Sequence, residues 1–569
     1  MPADVPLAGL TFILIPFMKP ILFALTLTIA HAESRSAPSE PVNTDVVIYT
    51  ATASGVAASM AAARAGSSVV LIEPGTHVGG MLSGGLGHSD VDGQTHIIGG
   101  LAAEIYQRMA QRYGKDAAQD AFDFEPHVAE ETLRTMLAEA RVRVVFGSRL
   151  QTLKKDGARI KTLTTTKGDT FSARAFIDAG YEGDLMAAAG VKYVVGREGR
   201  ERYGESLAGR TELLDGHHQF KTSVSPWSGT ELLPWITPQE KLVPTGVGDG
   251  KSQSYCFRLC LTDRPGNRLK TSKPEGYDAG DYELLRRYLI ASGDSASMPL
   301  GIARLPNGKS DVNSQGPVST DLPGAAWEYP EAAPERRAEI WKQHLDWAHG
   351  MMWFLQNDPS VPAKLQTRVR AWGLCRDEFT DTGGWPHQLY IREGRRMLGA
   401  TVVTQRDLME QRPKPDSIGM CGYNIDIREV QWVSIRTFDF GKQREYRQNP
   451  RAADRVFMEG YLSQPVDPWQ IPYRALTPKP AECENLLVPV CASMSTIAFA
   501  SFRMEPGYMI AGHASGVAAA MAAKDEIAVQ KVNMVALQEK LRVQKQVIEP
   551  PPTLGLGREG SRGDEKGNP

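Results

Sequence analysis

The chain has 569 residues, a formal net charge of −2 and an apolar fraction of 42%. That length exceeds a single ordinary core, so two or more substructures are expected. The near-zero charge excludes a nucleic-acid binder driven by electrostatics, and the composition excludes a mostly unfolded chain.

The stretch "MKPILFALTLTIAHAES" from Met18 carries Lys19, an apolar run from Ile21 to Ala30, and the small-x-small triplet Ala30-His31-Ala32. It predicts a secretory signal peptide over residues 1–32, cut before Glu33. No twin arginine precedes it, which favours the general export route. The run is short for a span, so no stable membrane span is expected after cleavage. Residues 33–43, "ESRSAPSEPVN", read as a linker.

Next comes "DVVIYTATASGVAASMAAARAGSSVVLIEP", from Asp45 to Pro74. A buried strand, a tight turn, a small-residue helix and a second strand ending in Glu73 make a mononucleotide-binding βαβ unit. The G-x-G-x-x-G fingerprint falls on Thr50, Thr52 and Gly55, so only its last glycine is present. Ala51, Ala53 and Ser54 keep the turn small, and the helix start retains N–H groups that receive phosphate. Glu73 is placed to accept both ribose hydroxyls. The following "EPGTHVGGMLSGGLG" holds Gly79, Gly80, Met81, Gly84, Gly85 and Gly87. So many glycines predict backbone passing close to a large flat ligand. A nicotinamide enzyme has no need of such a loop. A flavoprotein uses it along the pyrophosphate and the isoalloxazine edge, so the expected cofactor is FAD, held without a covalent bond.

The segment "VRVVFGSRLQTLKKDGARIKTLTTTKGDTFSARAFIDAG" alternates strands around a "KKDG" turn. Its Leu150 strand is expected along the adenine, and Asp178-Ala179-Gly180 at a strand end beside the cofactor. Residues 44–194 thus form a first part of the cofactor domain. Residues 195–475, rich in Trp, Tyr, Pro and charge, read as a substrate or cap domain. Residues 476–548 supply the second part, with a strand at "NLLVPV" and a helix opening at Glu505-Pro506. Gly512, Ala514 and Gly516 make that helix thin enough for close packing, and its positive end is expected at the flavin. The Pro-, Gly- and charge-rich residues 549–569 predict a disordered tail.

Hydride transfer to flavin asks the protein to orient a substrate and move a proton. Arg holds carboxylates or polarises carbonyls, and His or Tyr accepts a hydroxyl proton. Candidates are His127 beside Glu125; His387, Tyr390, Arg392, Arg395 and Arg396 in "GGWPHQLYIREGRRM"; and Arg503 and Glu505 in "FRMEP". Arg503, His387, Arg392 and Glu505 are the catalytic choices. No metal site is expected. Neither G-x-S-x-G nor H-E-x-x-H occurs. The six cysteines are too sparse for a disulfide framework and read as buried thiols or one disulfide.

Several of these pieces in order resemble one family: "DVVIYTATASGVAASMAAARAG", "EPGTHVGGMLSGGLGHSD", "FEPHVAEETLRTML", "FIDAGYEGDLMAAAGV", "FTDTGGWPHQLYIREGRRMLG" and "FRMEPGYMIAGHASGVAAAMA". They are similar to the FAD-dependent oxidoreductases called xanthan lyase-like or heterodisulfide-reductase-A-like. The resemblance implies an α/β fold. Its Rossmann-like FAD domain, of glutathione-reductase type, is assembled from both ends of the chain around an inserted α+β cap. It implies hydride transfer from a small polar, carbohydrate-related molecule, with electrons passed to an unknown acceptor. It also brings an alternative, an electron-transfer subunit with a [4Fe–4S] cluster, while Thr50, Thr52 and Thr496 motivate another, a non-catalytic binder on a decayed flavin fold. Thr50 stands where relatives carry Gly, and Thr496 where they often carry His.

Overall fold

The computed structural model describes residues 40–91, 93–214, 218–435 and 455–550. The expected signal peptide, residues 33–39 of the expected linker and residues 551–569 of the expected tail lie outside the described residues.

The β-branched run at the start forms β1 (Val42–Tyr49), whose last four residues are buried on both faces. It leads through α1 (Ala53–Arg64) to β2 (Val69–Ile72), parallel to β1 with Tyr49 beside Ile72. Strands covered on both faces need continuous apolar runs, which "VVIY" and "VVLI" supply. Helices α2 (Gly100–Arg112) and α3 (Pro126–Glu139) follow. Then β3 (Arg143–Val145) extends the parallel sheet beyond β2.

The expected turn at "KKDG" joins β4 (Leu150–Asp156) to β5 (Arg159–Thr165), and β6 (Thr170–Asp178) returns parallel to β1. The first half of β6 pairs antiparallel with β5.

Residues 195–475 mix helices and strands. A four-stranded antiparallel sheet is formed by Leu300–Arg304, Lys309–Ser314, Leu259–Thr262 and Gly373–Leu374. Beside it runs the long helix α4 (Pro334–Asn357).

The chain then re-enters the first sheet through β7 (Leu486–Leu487), parallel to Phe176 and Ile177 in the second half of β6. The "NLLVPV" strand is therefore short. Two helices close the fold: α5 (Thr496–Phe502) and α6 (Glu505–Asp525), which opens at Glu505-Pro506 as expected. Helix α6 lies directly on α1. A Cβ on Gly512 would stand 2.2 Å from the Ser54 carbonyl, and one on Gly516 2.2 Å from the Ala58 carbonyl. Among the described residues no helix is long and apolar enough to cross a membrane.

Candidate active site

Strands β1, β2 and β6 end on one edge of the sheet, the edge where open α/β sheets bind ligands. Two adjoining cavities of about 440 and 210 Å3 open there, and both are lined by Thr50, Pro74, Arg149, Gly180 and Glu182. Leu150 lines the larger and Glu73 the smaller.

Thr50 adopts the conformation of the glycine it replaces, with φ at +72°. Its hydroxyl donates to the Tyr49 carbonyl at 2.7 Å. Gly55 is required sterically, since a Cβ there would lie 2.0 Å from the Thr50 carbonyl. Thr52 caps α1. Its hydroxyl accepts the Gly55 N–H at 3.1 Å and donates to the Ala179 carbonyl at 2.8 Å, tying the turn to the end of β6. The first-turn N–H groups of Ala53 and Ser54 have no partner within the helix. The Ser54 side chain faces α6, where a Cβ on Gly512 would approach its hydroxyl to 2.7 Å, so Ser54 offers the groove only its backbone.

The Glu73 carboxylate accepts the Ala51 N–H at 2.7 Å and the Gly75 N–H at 2.6 Å. Burial pushes its carboxyl up to about 7 against those two hydrogen bonds. Asp178 turns inward. Its oxygens accept the Gly180 N–H at 3.1 Å and the Met186 N–H at 2.7 Å, so it shapes the loop after β6 from beneath.

The glycine loop is pinned at several points. Gly79 N–H donates to the Ala51 carbonyl at 2.6 Å, and Met81 N–H donates to the Tyr181 hydroxyl at 2.9 Å. A Cβ on Gly80 would strike that hydroxyl. The second half of the loop faces residues from the 195–475 region: a Cβ on Gly84 would come within 2.3 Å of the Gln388 Cβ, and one on Gly85 within 2.4 Å of the Arg258 carbonyl. Gly84 and Gly85 therefore let Gln388 and the Arg258 backbone approach the loop closely.

Beyond the loop lies a polar cluster around Tyr390. The guanidinium carbons of Arg258 and Arg392 stand 5.3 and 5.1 Å from its ring centre. Each arginine faces an acid, and Asp321 is shared with Arg428 at 3.7 Å. Arg392 donates to Asp321 at 2.8 Å, Arg258 to Asp311 at 3.1 Å, and Arg503 to Asp426 at 2.8 Å. Arg503 follows α5 and is near enough for its charge to bear on the Tyr390 phenol. Neither the Tyr390 hydroxyl nor the Asp90 carboxyl makes a hydrogen bond among the described residues. Burial pushes the Asp90 carboxyl up, with Arg258 and His88 opposing it.

The four catalytic choices thus fall in three places. Arg392 and Arg503 belong to the Tyr390 cluster. Glu505 lies under the glycine loop, where it accepts the Tyr181 hydroxyl. His387 lines the smaller cavity, stacked on His77 at 3.7 Å with both ring nitrogens unpartnered. Burial, with His77 adding to it, lowers His387 to about 4. Arg395 lines the larger cavity and pairs with Asp184, while Arg396 pairs with Glu198. The Thr496 N–H donates to Glu198 as well, at 3.0 Å. Sequence reasoning missed Asp90 and Arg258. The first closes the "GGLGHSD" segment, which was a usable signal; the second has no local pattern around it.

Two groups of side chains have the composition of a metal site: His77, Glu130 and His387, and Glu125, His127 and Glu378. In the first, the two rings are parallel to within 7°, so their in-plane lone pairs run side by side and do not converge. In the second, the Lys309 ammonium already stands 2.8 Å from Glu125 and 2.6 Å from Glu378.

A family model described as FAD dependent oxidoreductase matches residues 45–541. The chain belongs to this family. An FAD-dependent oxidoreductase needs a ribose acceptor, phosphate donors and a flat cleft, and Glu73, the α1 N-terminus and the glycine-lined groove fit those needs. FAD would be held by these groups, with Arg149 and Leu150 on the adenine side. The [4Fe–4S] alternative finds no support: all six cysteines are free and buried, and neither candidate metal group contains one. Family membership also overtakes the reading as a non-catalytic binder.

No curated protein matches the chain. Among solved structures it is similar to thioredoxin reductase from T. acidophilum, at 21% identity and TM-score 0.16, over 24% of this chain and 34% of that one. It is similar to a 3-ketosteroid-delta4-(5alpha)-dehydrogenase from Rhodococcus jostii RHA1, at 16% identity and TM-score 0.19, over 28% and 50%. L-proline dehydrogenase from P. horikoshii matches at 14% identity and TM-score 0.22, over 28% and 59%. The chain thus spans about a third to three fifths of the length of these structures. Likeness at this level says nothing about activity.

Proposed function

We propose that this FAD-dependent oxidoreductase oxidises a small neutral polyhydroxylated molecule of carbohydrate type at the Tyr390 cluster. The carrying observation is that Arg258, Arg392 and Arg503 are each hydrogen-bonded to an aspartate, with Asp321 shared by Arg428. Paired guanidiniums and carboxylates offer donors and acceptors side by side with little net charge. A hydroxyl group both donates and accepts, so vicinal hydroxyls match that surface. An anionic substrate would want an unpaired cation there.

When bound, FAD supplies the two-electron acceptor. The protein's part is to orient the substrate carbon and remove the hydroxyl proton. Asp90, without a hydrogen-bond partner and with a raised carboxyl pKa, takes that proton. Tyr390 positions the hydroxyl between the arginines.

Anaerobic mixing of the flavin-loaded protein with polyols, sugars, carboxylic acids and amines tests the reading. Polyols or sugars are expected to bleach the oxidised flavin band. Bleaching by carboxylic acids or amines alone overturns it. Asp90→Asn is expected to slow bleaching about 10²- to 10⁴-fold at saturating substrate while flavin stays bound.

Export belongs to the same proposal, supported by the leader pattern ending at Ala32. Protein made with its leader is expected outside the cytoplasm with Glu33 as first residue. An intact leader on cytoplasmic protein overturns that part.

A further inference from the structure

Two of the six cysteines meet. The Sγ atoms of Cys260 and Cys375 lie 3.7 Å apart. Cys260 belongs to the strand Leu259–Thr262, which pairs antiparallel with Gly373–Leu374 through Leu261 beside Leu374 and Thr262 beside Gly373. One step further along that register sets Cys260 opposite Cys375, and the Cys375 N–H donates to the Cys260 carbonyl at 3.3 Å. Directly opposed residues of antiparallel strands hold their Cα atoms about 4.5–5.5 Å apart, inside the range a disulfide spans. Leu305 and Phe379 enclose the two sulfurs in a small apolar cluster.

The other four thiols point elsewhere. Cys256 meets Arg392 at 3.6 Å, Cys421 the Ser501 carbonyl at 3.3 Å, Cys483 Asn485 at 3.8 Å and Cys491 the Gly180 carbonyl at 3.3 Å.

We propose that Cys260 and Cys375 close into a disulfide when the chain folds in an oxidising medium. The reaction is ordinary thiol–disulfide exchange with a small-molecule disulfide such as oxidised glutathione. One cysteine attacks as thiolate and forms a mixed disulfide, releasing one glutathione thiol. The second cysteine then displaces the other. Two S–H bonds are lost and one S–S bond forms. The two electrons leave in the pair of glutathione thiols, which carry the two protons.

The timing follows from burial. Both thiols are fully buried in the folded chain, and the contact with Cys375, together with burial, pushes the Cys260 thiol well up. Exchange requires a thiolate and access, and the folded protein provides little of either. The bond therefore forms during folding and is shielded afterwards. It bridges positions 115 residues apart and ties the Cys375 turn to the cap sheet, directly ahead of Glu378, which binds Lys309 and His127.

The test uses the full chain, refolded with FAD in a glutathione redox buffer or in dithiothreitol. Free thiols are alkylated in denaturant without reduction, and the peptides are mapped by mass. The expected result in glutathione is one linked pair of peptides carrying Cys260 and Cys375, lighter by two hydrogens, with the other four cysteines alkylated. That form is expected to melt several degrees above the reduced one and to resist dithiothreitol until denatured. Six alkylated cysteines in folded glutathione-treated protein, a glutathione adduct on either residue, or a different pairing overturns the proposal. Cys375→Ser is expected to leave Cys260 alkylatable and to abolish the redox dependence of melting. Where that variant fails to fold, the wild-type map still decides.

Discussion

The Tyr181 hydroxyl donates to Glu505 Oε1 at 2.8 Å while accepting the Met81 N–H at 2.9 Å. One oxygen thus joins the glycine loop to the first residue of α6. Tyr181→Phe removes both bonds and leaves a buried donor and a buried acceptor without partners. The expected loss of stability is on the order of 1–3 kcal/mol, with flavin affinity down about tenfold or more as the loop loosens. Chemical denaturation and flavin-fluorescence titration measure the two. Unchanged values in both would show that the loop is held by its other contacts.

Glu505 gives a pH prediction. Burial pushes its carboxyl up to about 8, with the Tyr181 bond opposing in part. An unfolded glutamic acid ionises near 4.3. Between those values the folded chain keeps a proton that the unfolded chain has lost, so stability falls as pH rises through that window. Glu505→Gln keeps an acceptor for Tyr181 and cannot ionise. Its melting temperature is expected to depend less on pH between about 5 and 9. Equal slopes for the two proteins would contradict the assignment.

Thr50 holds a left-handed conformation that costs a β-branched residue roughly 1–2 kcal/mol. Its hydroxyl is committed to the Tyr49 carbonyl. Thr50→Gly is therefore expected to raise the melting temperature slightly and to leave FAD affinity equal or improved. A weaker complex would mean that the hydroxyl reaches the phosphate.

Glu73→Ala removes the acceptor of the Ala51 and Gly75 N–H groups as well as the ribose anchor. FAD affinity is expected to fall on the order of 10- to 1000-fold, from hydrogen bonds worth roughly 1.5–3 kcal/mol each. Glu73→Gln retains one acceptor and should fall between. Equilibrium dialysis against FAD separates the three proteins, and an alanine variant that binds like wild type removes Glu73 from the site.

The nucleotide-binding half was legible because its signals are local. Buried strands, a small-residue helix and a carboxylate after β2 all sit within a short stretch and need no distant partner to be read. The glycines of the loop mark close approach, and Gly84 and Gly85 make way for Gln388 and the Arg258 carbonyl. Tyr390, Arg392 and Arg503 were legible as candidates, but their coming together with their acids was not, because pairing is a tertiary fact. Arg392 meets Asp321, and Arg503 meets Asp426, across separations of 71 and 77 residues. Spacing along the chain carries no trace of such a match. Ser54 shows the same limit on a smaller scale, since its position next to the fingerprint gave no sign that its side chain faces Gly512.

The contact of Gly512 with Ser54 also sets an order of events in synthesis. The helix that opens the nucleotide site is made near the start, and the one that covers its back begins only at Glu505. A nascent chain stopped short of Glu505 already owns Thr52 and Glu73, and α1 already has its sheet and α3 to lie on, yet it lacks the helix that packs most closely against it. Full affinity for the cofactor is thus expected only once α6 has been made, and fragments that end before Glu505 are expected to stay colourless.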